Sequence, residues 1–329
     1  MNHVQELTRR SLLGASLAMA STLVLAQGDG GYPNKPIRLV VVFPPGGGTD
    51  VAARVVAPKL AERLGQAVVV DNKPGMGGGI GIDMVAKSPA DGYTLVLASS
   101  GGYTALQHLY RNLPFDPEKD LEPVSLFCVS PLVLVAGPSF QGKTVKDLIA
   151  LAKKEPGKLA YGSGGSGTAT HLAGELFKAI TKTDLLHVPY KGSGPAVVAA
   201  IGGDIPLVFG DMGTVRPHLQ SGRLRALGVL GKARTPTAPE IPTLAEAGVP
   251  GYEAEGWFAV MAPAGTPPAV VNKLNAALVA ILDSTDVKAR LSTAALETAF
   301  STPAELRQKV RRDSAKWGRL IREFNIVAD

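Results

Sequence analysis

Three stretches of this sequence could hold a ligand: "FPPGGGTD" (residues 43–50), "PGMGGG" (74–79) and "GSGGSGT" (162–168). Each follows an apolar, strand-like run and leads into a helix-like one. A glycine loop entering a helix presents free N–H groups and the positive end of the helix dipole. Glycine also lets a ligand approach the backbone closely. The loops carry no basic side chain, so a small carboxylate fits them better than a polyphosphate. Thr49, Ser99, Ser100, Ser163, Ser166, Thr168 and Thr170 are the hydroxyls at hand.

Three other chemistries have motif matches in the chain. "GPSFQGKT" (137–144) matches the phosphate-loop pattern G-x-x-x-x-G-K-[ST]. Pro138 removes a backbone donor such a loop depends on, and Thr144 is better explained as a helix cap, so nucleotide binding is rejected. "GSGGSG" (162–167) matches the dinucleotide fingerprint G-x-G-x-x-G. The next strand, however, ends in "VPYKG" with no acidic residue to hold a ribose. Ser163 and Ser166 lie near His171, which raises an exported hydrolase as the rival function. No G-x-S-x-G elbow is present, and His171 falls one turn into its helix, where its ring need not meet either serine. Five histidines are scattered and Cys128 stands alone, so no metal site, disulfide or cofactor is expected. Cys128, within an apolar run, reads as a buried small hydrophobe.

Strand and helix patterns alternate along the chain. "IRLVVVF", "AVVVD", "YTLVLASS", "PLVLVA", "LAY", "LLHVPYKG", "IPLVFGDM" and "LRALGVLG" read as strands, with "WFAVMAP" as the last. The first helix is predicted over 49–65, capped by Thr49 or Asp50 and interrupted by Pro58. Another begins with Thr144-x-x-Asp147. The final helix opens with "STPAEL", a capping box with proline in the first turn, and carries an apolar stripe of Leu306, Val310, Trp317, Leu320, Ile321 and Phe324. Repeated strand–loop–helix units argue for an α/β protein of mostly parallel sheets, and 329 residues argue for two domains.

Residues 1–26 read as an export signal: a charged start containing "TRR", an apolar middle, and small residues ending at Ala26. Twin-arginine and ordinary export both fit it. A net charge of +6 favours anionic ligands or surfaces, while nucleic-acid binding is disfavoured by export and by the lack of a recognition motif.

Ordered blocks over nearly the whole mature chain resemble one family. They include "YPNKPIRLVVVFPPGGGTDVAARVVAPKLAERLGQAVVVDNKPGMGGGIG", "DGYTLVLAS", "LPFDPEKDLEPVS", "YGSGGSGTATHLAGELF", "HVPYKGSGPAVVAAIGGDI", "IPTLAEAGVPGYE" and "WFAVMAPAGTP". In these the chain is similar to the substrate-binding proteins of tripartite tricarboxylate transporters, periplasmic receptors of the type II binding-protein fold.

The resemblance implies two α/β lobes joined by two crossings, residues 27–128 with 252–329 and residues 129–251, with a ligand cleft between them. It implies capture of a small organic acid without catalysis, delivery to membrane permease subunits, and a monomer in the periplasm. A receptor that presents its ligand to a sensor protein is an alternative. Carried over to this chain, the first lobe offers Pro45, Gly46, Gly47, Gly48, Thr49 and Asp50, with Met76, Gly77 and Ser99. The second offers Ser163, Gly164, Ser166, Gly167, Thr168, Thr170, Tyr190, Lys191, Asp211 and Met212. Pro58, Gly48 and "FGDMGT" depart from the family's usual pattern. Asp211 either favours a ligand bearing a nitrogen cation or points away. Lys191 either attracts a second carboxylate or is solvated.

A Lys143→Ala variant is expected to bind ligand with unchanged affinity in calorimetry; loss of binding would restore the nucleotide reading.

Overall fold

The computed structural model describes residues 31–327; the export signal expected over residues 1–26 lies outside them. The β-branched runs form two sheets. In the first, β1 (Ile37–Val41) lies between β2 (Val68–Asn72) and β3 (Thr94–Ser99), all parallel. β4 (Leu121–Ser130), β10 (Gly256–Pro263) and the short edge β11 (Glu297–Thr298) complete the order β11-β4-β10-β3-β1-β2. The second sheet has the order β7-β6-β8-β5-β9, from β5 (Leu132–Ala136), β6 (Ala160–Ser163), β7 (Leu186–Pro189), β8 (Leu207–Asp211) and β9 (Arg225–Val229). Two α/β lobes result.

Each sheet is mixed. β10 pairs antiparallel with both neighbours, and so does β5. These two strands enter their sheets after a crossing from the other one, not through a helical crossover, so the rule that makes β-helix-β neighbours parallel does not bind them. One residue, Pro131, separates β4 from β5; the chain returns between β9 and β10. The crossings lie side by side: Ser130 pairs with Gly256, and Ala254 N–H donates to Leu230 O at 2.7 Å. A Cβ at Gly256 would lie 2.8 Å from Ser130 O, so only glycine fits that approach.

Helices cover the sheets: α1 (Gly48–Leu64), α2 (Gly79–Ala86), α3 (Ser100–Thr104), α4 (Leu106–Leu109), α5 (Val145–Lys154), α6 (Ala169–Thr181), α7 (Ser193–Gly202) and α8 (Met212–Gln220). α9 (Pro268–Leu282), α10 (Thr285–Thr293) and α11 (Pro303–Glu323) close the chain. None of the helices among the described residues is long and apolar enough to cross a membrane. The cap read at Thr144 and the capping box read at Thr302 are both present, and each is a full capping box, with Asp147 and Glu305 respectively.

Several local expectations change. Gly47, not Thr49 or Asp50, caps α1, and that helix runs on through Pro58. Burial of Val56, Ala57 and Leu60 against the core offsets the hydrogen bond that proline forfeits. β4 carries Glu122, Pro123 and Ser125 and so lacks a clean strand pattern; a register shift in the β10 pairing falls between Val260 and Met261, the latter opposite Pro123. "WFAVMAP" is not the last strand, because β11 follows. Cys128 is completely buried, as the apolar run implied.

α11 joins two cores. Leu306 and Val310 pack with Val40, Ile82 and Trp257 of the first lobe. Trp317, Leu320 and Ile321 pack with Leu134, Phe177 and Phe209 of the second. Phe324 leaves the expected stripe and is 46% exposed, because it caps the helix beyond its last turn. Trp317→Ala is expected to lower stability by about 3–5 kcal/mol in urea unfolding; a loss under about 1 kcal/mol would show that the helix end does not hold the second core.

Candidate functional site

Two of the three glycine turns meet at one cavity of about 270 Å³, and the third lines a chamber beside it. Pro45, Gly46, Gly47, Gly48, Thr49 and Ser99 line it from the first lobe. Gly164, Thr168, Thr170, Lys191 and Asp211 line it from the second. Met76, Gly77, Ser166 and Tyr190 line an adjoining chamber of about 450 Å³, which shares Phe43, Pro44, Gly164, Lys191 and Gly192 with the first.

Four helices of at least nine residues begin at this cavity. The first residues of α1, α6 and α7 line it, as does Thr214 in the first turn of α8. The first N–H groups of a helix lack partners within the helix. Gly47 and Gly192, as cap residues, have no side chain to accept from them, and Asp211 makes no capping bond at α8. The wall therefore presents backbone donors and positive helix ends, chiefly from α1 and α7, since Met212 N–H at the start of α8 already donates to Pro131 O at 2.8 Å; this is the electrostatic requirement for an anion. Lys191 adds a cation; it is exposed and has no ion-pair partner among the described residues.

Other polar groups shape the loops. Asp50 is 3% exposed and lines neither chamber. Its Oδ2 accepts from Gly46 N–H and Arg54 Nε, both at 2.9 Å, and its Oδ1 accepts from Asn72 Nδ2 at 3.0 Å. Burial works to raise this carboxyl, but the bonds from Arg54, Gly46 and Asn72 outweigh it and hold the group below its ordinary value. Asp50 thus fixes the turn at Gly46, whose φ of +82° is a left-handed conformation suited to glycine. In the second lobe, Thr170 Oγ1 accepts from Gly164 N–H at 2.9 Å, and Thr168 Oγ1 donates to Gly165 O at 2.6 Å.

Three more expected residues lie outside both chambers. Ser163 is wholly buried, and its Oγ meets His187 Nε2 at 2.7 Å. Gly167 donates its N–H to His171 Nδ1 at 3.1 Å, and His171 stacks on His187 with centroids 4.1 Å apart. Met212 is completely buried in the second lobe's core beside Val208 and Val215. This geometry takes Ser163 out of the hydrolase reading: it bonds His187 and has no exposed surface for a substrate carbonyl to reach. The phosphate-loop match also dissolves, since Thr144 accepts from Asp147 N–H as a helix cap and the segment lines neither chamber.

Sequence reasoning missed Ser130, Ser193, Thr214 and the segment 256–258, all of which line the first cavity. Ser193 sits in "YKGSGP" directly after expected residues, so its glycine setting was a usable signal. Ser130 and residues 256–258 reach the cavity through the paired crossings, which no local pattern reveals.

The lobes touch through glycine. A Cβ at Gly101 would lie 2.5 Å from Gly167 O, and one at Gly77 would lie 2.7 Å from Ser166 O. Backbone-to-backbone contact of this kind encloses the cavity between the lobes.

Known proteins share this architecture. The sequence profile of the tripartite tricarboxylate transporter family receptor matches residues 52–326. Protein BugT of Bordetella pertussis is 40% identical over 314 residues, covering 95% of this chain and 96% of BugT. A solved periplasmic transporter is 39% identical with a TM-score of 0.84, covering 91% of this chain and 100% of that one. An R. palustris protein solved with adipate is 36% identical, with a TM-score of 0.85 over 91% of this chain and 100% of its own. MatC from Rhodopseudomonas palustris, solved with malate, is 31% identical, with a TM-score of 0.82 over 88% and 100%.

Asp50→Ala is expected to cost about 1 kcal/mol of stability at neutral pH, because it removes the acceptor that Gly46, Arg54 and Asn72 share. The native carboxyl is depressed, so its contribution is full above the ordinary carboxylate value near pH ~4 and is lost as pH falls through the lowered value. The gap between the two proteins in urea unfolding should therefore close in acid; a gap independent of pH would contradict the anchoring role.

Proposed function

The chain belongs to the tripartite tricarboxylate transporter receptor family, and on that premise we propose that it captures a small carboxylate by closing two lobes over the glycine-lined cavity. It is a solute-binding receptor, not an enzyme, and its family places it in the periplasm. The observation that carries the ligand class is the meeting of four helix starts, three without a side-chain cap, on one cavity.

Residues 45–49, Ser99, Gly164, Thr168, Thr170 and Lys191 are the contacts in this reading. Met76, Gly77, Ser166 and Tyr190 meet any part of the ligand that extends into the adjoining chamber. Asp50, Ser163 and Gly167 act behind the wall by holding the loops. Closure excludes water, so each N–H contact gains strength in a lower dielectric. The lobes divide as residues 27–128 with 252–329 and residues 129–251, a division supported by crossings at Pro131 and between β9 and β10. The closed surface, presented by a monomer exported on residues 1–26, is what the permease subunits read. The adipate and malate held by the two R. palustris proteins support a carboxylate of this size.

Calorimetry on protein unfolded and refolded to strip its ligand is the test. At least one member of a panel of di- and tricarboxylates, amino acids and aromatic acids is expected to bind with a stoichiometry of one. Silence across the panel from folded protein would overturn the carboxylate reading.

A further inference from the structure

The cavity wall consists of backbone groups, hydroxyls and apolar side chains, with one anionic side chain among them. Among its lining residues, Lys191 and Asp211 are the charged side chains. Asp211 ends β8 and opens α8, yet its carboxylate does not cap that helix. Oδ1 accepts from Ser130 Oγ at 3.1 Å, and Oδ2 accepts from Ser193 Oγ at 2.6 Å. No lysine or arginine reaches it among the described residues. Ser130 ends β4 at the crossing between lobes, whereas Ser193 opens α7. The carboxylate is thus clamped by hydroxyls from two segments, with its remaining exposed surface lining the cavity beside Thr214.

Burial pushes the Asp211 carboxyl up from its ordinary value, while the hydroxyls of Ser193 and Ser130 work against that rise. In its ionised form it only accepts hydrogen bonds and offers about four lone-pair positions, of which the two serines take two. Its own N–H also bonds it, and the capacity left over faces the cavity. A second carboxylate set against this group would meet a like charge in a water-poor site. A hydroxyl, amide N–H or ammonium would instead form a charge-assisted hydrogen bond there.

We propose that Asp211 selects the ligand: a small carboxylate that also carries a hydrogen-bond donor, which Asp211 accepts while the helix starts hold the acid group. The proposal rests on the carboxylate reading above and narrows it. Removing the donor from the ligand leaves Asp211 with its two serines only, and a site built around a further bond to the ligand discriminates strongly against the analogue lacking it.

The experiment titrates refolded protein calorimetrically with matched acids that share a carbon skeleton: succinate against malate and aspartate, and butyrate against its hydroxy and amino counterparts. The wild-type protein is expected to bind the better donor-bearing member of at least one pair about tenfold or more tighter than its plain partner. Asp211→Asn, nearly isosteric and still able to meet both serines, should shrink that ratio to about threefold or less or reverse it, with an unchanged unfolding midpoint. Ser193→Ala offers a second test that keeps the carboxylate: it frees a lone pair and should keep or widen the wild-type preference. Equal or tighter binding of the plain acids by wild-type protein would overturn the proposal, as would an unaltered ratio in Asp211→Asn. If Asp211→Asn does not fold, loss of the preference in Ser193→Ala overturns it. Binding of plain acids alone leaves the carboxylate reading standing and sinks this one; no binding by any acid in folded wild-type protein sinks both.

Discussion

A helix leaves its first N–H groups without partners, and the molecule is organised around where those groups point. α1, α6, α7 and α8 begin at the same cavity, and glycine in the cap position of α1 and α7 removes the side chain that would ordinarily accept from them. A glycine in place of a capping side chain costs the empty protein roughly a few tenths of a kcal/mol per helix. The unsatisfied donors become a ready complement for an anion, and no basic side chain is required in the loops.

Such a wall works only if the loops hold their shape before a ligand arrives. Asp50 ties Gly46 to Arg54 and Asn72 from behind the first loop. Thr168, Thr170 and the stacked His171–His187 pair hold the second. Asp50 and the histidine pair face the protein, while Thr168 and Thr170 also line the cavity, so the recognising surface combines main chain with hydroxyls. The lobes then meet where Gly77 and Gly101 approach Ser166 and Gly167 too closely for any side chain. The side-by-side crossings at Ser130 and Gly256, together with α11 embedded in both cores, connect the lobes away from these loops. Asp211 stands out against this background as an acceptor in a donor-lined site, held by a serine from the crossing itself.

Much was legible locally. Glycine loops between apolar runs and helix patterns located most of the wall, since strand, turn and helix start are short-range features. Capping boxes at Thr144 and Thr302 emerged for the same reason. β4 did not, because Glu122, Pro123 and Ser125 break its alternation and only pairing with β10 makes it a strand. Asp50 and Ser163 were assigned to the ligand because adjacency cannot say whether a side chain turns inward or outward.

The order of apolar runs, glycines and caps by itself determined an α/β chain with donor-rich turns, because those features follow from backbone sterics and hydrogen-bond accounting over a few residues. Tertiary structure alone decided that turns more than a hundred residues apart share one cavity, that Ser163 meets His187, and that Ser130 and Ser193 clamp Asp211. Those outcomes depend on the two crossings and on how the lobes pack, and such contacts are set by the closing of the whole chain.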